Sequence, residues 1–120
     1  MFAQIFAPKS PISDDFREKV ISEVLLRLRP ANPKRAILFG SYATRLAHED
    51  SDIDVLVVCR TEQDIRRVRE SIYSNLTGPI TAVPVDFIFV TEEVFERKKV
   101  MGGVCFMAHC EGTIIHESEQ

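Results

Sequence analysis

Apolar positions recur at helical spacing in the first third of the chain. Ser13, followed by Asp14 and Asp15, is typical of a helix start, because serine caps free N–H groups and carboxylates suit the positive end of the helix dipole. The stripe that follows predicts one apolar helix face, made of Phe16, Val20, Ile21, Val24, Leu25 and Leu28. Pro30 and Pro33 are predicted to end this helix.

The rest of the chain alternates between short apolar runs and helical patterns. The apolar runs predict strands over residues 36–39, 52–59, 83–90 and 113–116. The helical patterns cover residues 42–47, 61–76, 91–99 and 104–110, and Gly78-Pro79 predicts a turn. Strands alternating with helices predict an α/β (α+β) fold, in which helices cover a sheet.

The length of 120 residues predicts a single domain. Residues 1–12, with Pro8 and Pro11, are interpreted as a lead-in, and residues 13–120 as the domain. The formal net charge of −3 argues against extended nucleic-acid binding, because such binding depends on neutralising many phosphates. Three cysteines without paired spacing, no signal-peptide pattern and no long apolar run favour a cytoplasmic protein without a membrane segment.

Candidate chemistry is concentrated between two of the predicted strands. Gly40-Ser41 follows the first strand, and Asp52-Ile53-Asp54 begins after ten further residues. Glycine permits a tight turn and close approach by a ligand, and the N–H groups at a helix start can bind phosphate, so Gly40 and Ser41 are candidate phosphate ligands. Asp52 and Asp54 are two apart on a strand and therefore share a face. Paired carboxylates are hard-oxygen ligands suited to Mg²⁺.

A third carboxylate, Asp86, lies inside the otherwise apolar run 83–90. A charge within a buried strand is costly unless it is paired or binds a metal. If this strand lies beside that of Asp54, three carboxylates come together, and such a set can hold two metal ions about 3.5–4 Å apart. Asp52, Asp54 and Asp86 are therefore the predicted catalytic and metal-binding residues.

The stretch from Gly40-Ser41-Tyr42-Ala43 to Ser51-Asp52-Ile53-Asp54-Val55 resembles the nucleotidyltransferase superfamily that includes DNA polymerase beta. It is most similar to the minimal nucleotidyltransferases (MNT), small domains commonly paired with a helical HEPN protein. The resemblance implies a mixed sheet flanked by helices. It departs after Ala43, where members often have Arg-Gly and this chain has Thr44-Arg45, which makes Arg45 a displaced candidate for nucleotide binding.

The resemblance also implies a reaction and a partner. Asp52 and Asp54 would hold Mg²⁺ on ATP, Gly40 and Ser41 would bind its β- and γ-phosphates, and Asp86 would help with a second Mg²⁺ and with the proton of the acceptor. AMP would pass to a hydroxyl group, expected to be a tyrosine of a HEPN toxin, which makes the chain an antitoxin. A homo-oligomer is a further possible assembly. Two alternatives stay open: a nucleotide-binding docking subunit with little or no activity, and an adenylyltransferase acting on a small molecule such as an antibiotic.

Overall fold

The computed structural model describes residues 9–74 and 83–119, and within these ranges strands and helices alternate as the sequence predicts. The strands are β1 (Arg35–Phe39), β2 (Ile53–Cys59), β3 (Val85–Thr91) and β4 (Thr113–Glu117). The helices are α1 (Asp14–Ala31), α2 (Ser41–Thr44), α3 (Glu62–Ser74), α4 (Glu92–Lys98) and α5 (Gly103–Glu111). The predicted turn at Gly78-Pro79 lies outside the described residues.

The first helix begins as predicted and ends at Ala31, between the two prolines that were expected to end it. The Ser13 hydroxyl accepts a hydrogen bond from the backbone N–H of Phe16 at 3.1 Å, which confirms the predicted cap. The prediction that Pro30 ends the helix is wrong, because Pro30 lies inside the last turn. Residues 28 and 31 on either side of it are fully buried, and their packing holds this turn. The residue that caps this end is Asn32, whose left-handed backbone (φ 45°) lets its N–H bond to the Leu28 carbonyl.

The four strands form one mixed sheet in the order β3-β2-β1-β4. β1 is antiparallel to both β2 and β4, whereas β2 and β3 are parallel. The parallel pair requires a crossover connection, which α3 provides. The register places Phe39 opposite Asp54, and Asp54 opposite Asp86. We call this row across β1, β2 and β3 the carboxylate row, after its two aspartates, Asp54 and Asp86.

Helices cover both faces of the sheet. On one face, α1 and α3 pack on Ala36, Leu38 and the odd-numbered residues of β2. On the other face, α4 and α5 pack on Ile37, Phe39, Leu56 and Val58. Because both faces are covered, the middle of the sheet is apolar on both sides, and polar groups are placed at its ends. In the parts of the chain that the structure describes, no helix has the length and apolarity to cross a membrane.

Candidate active site

The carboxylate row brings together the two halves of the sequence motif. Asp54 lies on β2 beside the last residue of β1, and Gly40 and Ser41 follow that residue directly. Side chains alternate along a strand, so Asp54 shares a face with Leu56 and Val58, beside α4 and α5. Asp86 lies opposite Asp54 on the neighbouring parallel strand. The expected neighbourhood of these strands is therefore confirmed.

The three predicted carboxylates differ in burial. Asp52 precedes β2 and is exposed, Asp86 is exposed at the edge strand, and Asp54 is half-buried between them. Burial raises the pKa of Asp54, and the negative charges of Asp86 and Asp52 raise it further. This end of the sheet therefore concentrates negative charge around Asp54.

Gly40 makes a close contact with Asp54 possible. Its backbone has φ 73° and ψ −156°, a region that is open to glycine but strained for other residues. A Cβ atom added at Gly40 would lie 2.6 Å from Oδ2 of Asp54. The carboxylate thus packs against the bare backbone of the turn, which explains why glycine stands at this position.

Ser41 begins α2, which spans four residues instead of the predicted 42–47. The first backbone hydrogen bonds of this helix run from Ala43 and Thr44 to the Gly40 carbonyl, each at 3.1 Å. The N–H groups of Ser41 and Tyr42 precede these bonds and are the donors that this turn offers to a ligand. Such a short helix has little dipole, so individual N–H groups and the Ser41 hydroxyl matter more than the helix as a whole.

Arg45 ends α2 and is engaged with α1. Its backbone is left-handed (φ 64°), and its N–H bonds to the Ser41 carbonyl. Its guanidinium forms an ion pair with Asp14 at 3.3 Å, and 62% of its side chain is exposed. The left-handed residue also explains why the helix stops early, since a helix cannot continue through it.

The residues before α1 contact the loop between the two halves of the motif. Backbone hydrogen bonds run from Ile12 to the Ala47 carbonyl at 3.3 Å and from Glu49 to the Ser10 carbonyl at 2.9 Å. Lys9 forms an ion pair with Asp50 in the same region. The boundary between lead-in and domain at residue 12 stays a prediction, while these contacts tie residues 9–12 to the motif loop.

One buried charge beside the site was missed by the sequence reasoning. Arg17 on α1 donates a hydrogen bond from Nε to the backbone carbonyl of Tyr42 at 2.8 Å. The sequence does carry a signal for it, because Arg17 falls three and seven residues before Val20 and Val24 of the apolar stripe. A charged residue in line with a buried face must find a partner inside the fold.

The donor chemistry of the carboxylates fits a divalent cation. They supply hard oxygen ligands. Burial, and after it the charges of Asp86 and Asp52, raise the pKa of Asp54, and a bound cation would offset both causes. Gly40 leaves the space that the Asp54 carboxylate occupies. Across residues 9–74 and 83–119, however, no three Asp, Glu, His or Cys side chains form a group compact enough to hold one ion. The carboxylates are thus brought to one end of the sheet but are not drawn together there.

Comparisons with known proteins place the chain among nucleotide-transferring domains. The model of the nucleotidyltransferase domain family matches residues 18–104. Comparison with curated proteins gives no match. Among solved structures, a putative nucleotidyltransferase from Sulfolobus solfataricus shares the fold at 19% identity and a TM-score of 0.52, over 83% of this chain and 82% of that chain.

Two further similar structures are toxin–antitoxin assemblies. One is a toxin–antitoxin with AMP-PNP, at 20% identity and a TM-score of 0.49, over 83% of this chain and 75% of that chain. The other is a tri-AMPylated Shewanella oneidensis HEPN toxin in complex with an MNT antitoxin, at 19% identity and a TM-score of 0.45, over 87% and 75% of the two chains.

The family match covers most of the chain. It includes the turn at Gly40 and Ser41, the strand that carries Asp54 and the strand that carries Asp86. These are the elements that the sheet register aligns at one end of the molecule. The chain therefore belongs to the nucleotidyltransferase domain family.

Proposed function

We propose that this protein transfers AMP from ATP to a hydroxyl group in a Mg²⁺-dependent reaction. The observation that carries the proposal is the carboxylate row, in which Asp54 lies opposite Asp86 and packs against the Gly40 turn. A phosphate-binding turn beside a set of carboxylates is the combination that phosphoryl transfer requires, because that chemistry depends on positioning and charge neutralisation. Membership of the nucleotidyltransferase family supports the same reaction.

Each residue of the site has a role in this proposal. Asp52 and Asp54 bind the Mg²⁺ that accompanies the triphosphate, and Asp86 helps to bind a second ion. Gly40 and Ser41 contact the β- and γ-phosphates, through the N–H groups of the turn and the Ser41 hydroxyl. Arg45 would have to break its ion pair with Asp14 before it could contact a phosphate together with Gly40 and Ser41.

The reaction is a displacement at the α-phosphorus. When bound, Mg²⁺ neutralises phosphate charge and lowers the pKa of the attacking hydroxyl. Asp86 accepts the proton of that hydroxyl, and the oxygen forms a bond to the α-phosphorus. The bond from the α-phosphorus to the bridging oxygen breaks, and pyrophosphate leaves while Gly40 and Ser41 hold its oxygens. The products are the adenylylated acceptor and pyrophosphate.

The acceptor is proposed to be a tyrosine of a HEPN toxin, which makes this chain an antitoxin. The motif from Gly40 to Val55 resembles the minimal nucleotidyltransferases, and that resemblance supports the partner. The described residues form one sheet and its covering helices. We propose that a protein partner completes the acceptor site, because the domains that the motif resembles are commonly paired with a helical HEPN protein.

Transfer of label from α-labelled ATP tests the proposal. The wild-type chain, Asp54→Asn and the control Asp15→Asn are each incubated with Mg²⁺, alone and with a HEPN protein. Asp15 is an exposed carboxylate in the first turn of α1, so its loss controls for a change of charge alone. We expect label on the HEPN protein with the wild type and Asp15→Asn, and a loss of at least about 100-fold with Asp54→Asn.

Three results would overturn this proposal or part of it. If no acceptor is labelled while the wild type and Asp54→Asn bind the HEPN protein equally, the chain is a docking subunit. If label reaches a small molecule such as an antibiotic without any protein partner, the antitoxin role is wrong. If labelling persists after all divalent cations are chelated, the Mg²⁺ dependence is wrong.

A further inference from the structure

A buried arginine lies beneath the turn that follows Gly40. Arg17 is on α1, in line with Val20 and Val24 of the buried face, and 9% of its side chain is exposed. In the part of the chain that the structure describes, Arg17 and Thr91 are the buried residues with polar or charged side chains. Burying a guanidinium removes its hydration, so hydrogen bonds or an anion must offset the free energy lost on desolvation.

The contacts of Arg17 compensate this charge only in part. Its Nε donates to the Tyr42 carbonyl at 2.8 Å, and that oxygen carries only a partial charge. Its Nη1 lies 3.5 Å from Oε1 of Glu18, whose side chain is 71% exposed to solvent. This contact is long and strongly screened by water, so it contributes little. Among residues 9–74 and 83–119, the Arg17 guanidinium therefore lies behind the turn without a close, buried carboxylate as its partner.

The turn needs contacts outside itself to keep its shape, and the buried Tyr42 side chain supplies one of them. α2 is one short helix of four residues, and a single helical turn is not stable by itself, because nucleation costs more than its few hydrogen bonds return. Thr44 Oγ1 contacts the carbonyls of Gly40 and Ser41 at 3.4 Å, which is long for a hydrogen bond. The bond from Arg17 to Tyr42 is shorter and charge-assisted, and it ties α2 to the core helix α1.

Thr44 and Arg45 stand where members of the resembled family often have Arg-Gly. Neither of them supplies a buried positive charge to this turn. Thr44 is neutral and exposed, and the Arg45 guanidinium pairs with Asp14 at the surface. Arg17 reaches the turn through the protein interior, from the same helix that carries Asp14. Among the residues that the structure describes, Arg17 is the buried cationic side chain that donates a hydrogen bond to α2.

We propose that Arg17 is the positioning residue of the nucleotide-binding turn. Its guanidinium fixes the Tyr42 carbonyl, and this holds the preceding N–H groups of Ser41 and Tyr42 in the orientation that receives phosphate oxygens. Its charge also stabilises a polyphosphate on the far side of the turn. The inference rests on the proposed function, because it assigns Arg17 to the binding of ATP.

Nucleotide affinity measured on folded variants tests the inference. Arg17→Met keeps the length of the side chain but removes the charge and the donor, whereas Arg17→Lys keeps the charge and loses the fixed Nε geometry. The matched control is Arg29→Met, an exposed arginine in the last turn of the same helix. The dissociation constant for ATP with Mg²⁺ is measured by calorimetry at low and high salt, after circular dichroism has shown that each variant is folded.

We expect Arg17→Met to raise the Kd for ATP about 10-fold at low and at high salt alike, because salt screens a buried charge only weakly. Arg17→Lys should recover part of the affinity, and Arg29→Met should bind as the wild type does. A purely structural role would lower the melting temperature of the Arg17 variants and leave the Kd of the folded protein unchanged. That result would overturn the inference.

Hydrogen exchange of the ligand-free protein separates this inference from the proposed function. We expect faster exchange of the Ala43 and Thr44 amides, which bond to the Gly40 carbonyl, in Arg17→Met and in Arg17→Lys. Unchanged exchange in both variants would show that Arg17 does not hold the turn.

If the wild type binds ATP but transfers no AMP, the proposed function fails and the inference stands on the Kd values. If the wild type binds no nucleotide, both fail. If Arg17→Met does not fold, Arg17→Lys decides the outcome.

Discussion

Strands β2 and β3 have two ends that differ in composition and in what they contribute. From Val55 to Cys59, every side chain of β2 has 0% exposure and contacts helices on one face or the other. At the opposite end, Asp52 and Asp86 are exposed, and Asp54 is half-buried among like charges. β2 therefore joins a fully buried run to a charged end, and Asp86 of β3 lies at that charged end as well.

The contrast shows how the fold carries a site that is unfavourable by itself. Collecting carboxylates costs free energy in the absence of a cation, because like charges repel and Asp54 is partly desolvated. The apolar end of the same strands contributes the burial that offsets this cost. We expect three changes to test this difference between the two ends, beginning with the largest effect.

Removing packing at the apolar end should have the largest effect. Leu56 is fully buried on the face covered by α4 and α5, two residues from Asp54. We expect Leu56→Ala to lower the free energy of unfolding by about 2–5 kcal/mol, because it leaves a cavity in the core. Urea unfolding followed by circular dichroism measures this. The exposed Leu26→Ala should change it by less than about 0.5 kcal/mol, and equal losses would contradict the contrast.

A methyl group at the turn should have the next largest effect. Gly40→Ala places a Cβ atom 2.6 Å from the Asp54 carboxylate and strains the backbone, so we expect a loss of about 1–3 kcal/mol in the same unfolding measurement. The control is Gly103→Ala, where φ is 77° and a Cβ atom would meet no atom within 4 Å. If Gly103→Ala loses less free energy of unfolding than Gly40→Ala, the difference comes from the contact with Asp54. If the two losses are equal, backbone strain alone explains them.

Relieving charge at the strained end should stabilise the protein. We expect Asp54→Asn to raise the free energy of unfolding near pH 7, without divalent cations, by roughly 0.2–1 kcal/mol, the usual range for cross-strand pairs. Its amide no longer repels Asp86 and Asp52. Asp64→Asn serves as the contrast, because Asp64 pairs with Arg60 and Arg67 and its loss should destabilise. Destabilisation by Asp54→Asn would show that this end is not strained.

The smallest expected effect is a pH dependence away from the site. Burial lowers the pKa of His116 on β4 from its ordinary value of 6.5, and the Arg29 charge lowers it further. The folded state therefore binds this proton less readily than the unfolded state does. Its contribution to stability is complete above pH 6.5 and is lost as the pH falls through 6.5 toward the lower folded pKa.

Urea midpoints between about pH 5 and pH 8 measure this contribution. We expect a decrease toward acid pH in the wild type that is smaller in His116→Gln. Glutamine can keep a hydrogen bond to the Asn32 side chain, which His116 contacts at 3.1 Å, but it does not titrate in this range. Identical profiles would remove His116 as the source of the dependence.

Local pattern was sufficient to locate most elements and the motif. The capping serine, the apolar stripe of α1 and the apolar strands each depend on neighbours a few residues apart. The structure confirms them, except that Phe16 of the predicted stripe is exposed. The ends of α1 and α2 were predicted less well. The end of α1 depends on packing around Leu28, and the end of α2 depends on the left-handed conformation of Arg45. Short-range pattern reveals neither of these.

Residue type and local periodicity were sufficient to predict the order of strands and helices along the chain and the spacing of Gly40-Ser41 from Asp54. The position of Asp86 opposite Asp54 required the folded chain, because the order of strands within a sheet and their register depend on contacts between distant segments. The same is true of the packing of the Asp54 carboxylate against Gly40 and of the hydrogen bond from Arg17 to Tyr42, across 25 residues. These contacts need the whole sheet and its helices in place, so no local pattern contains them.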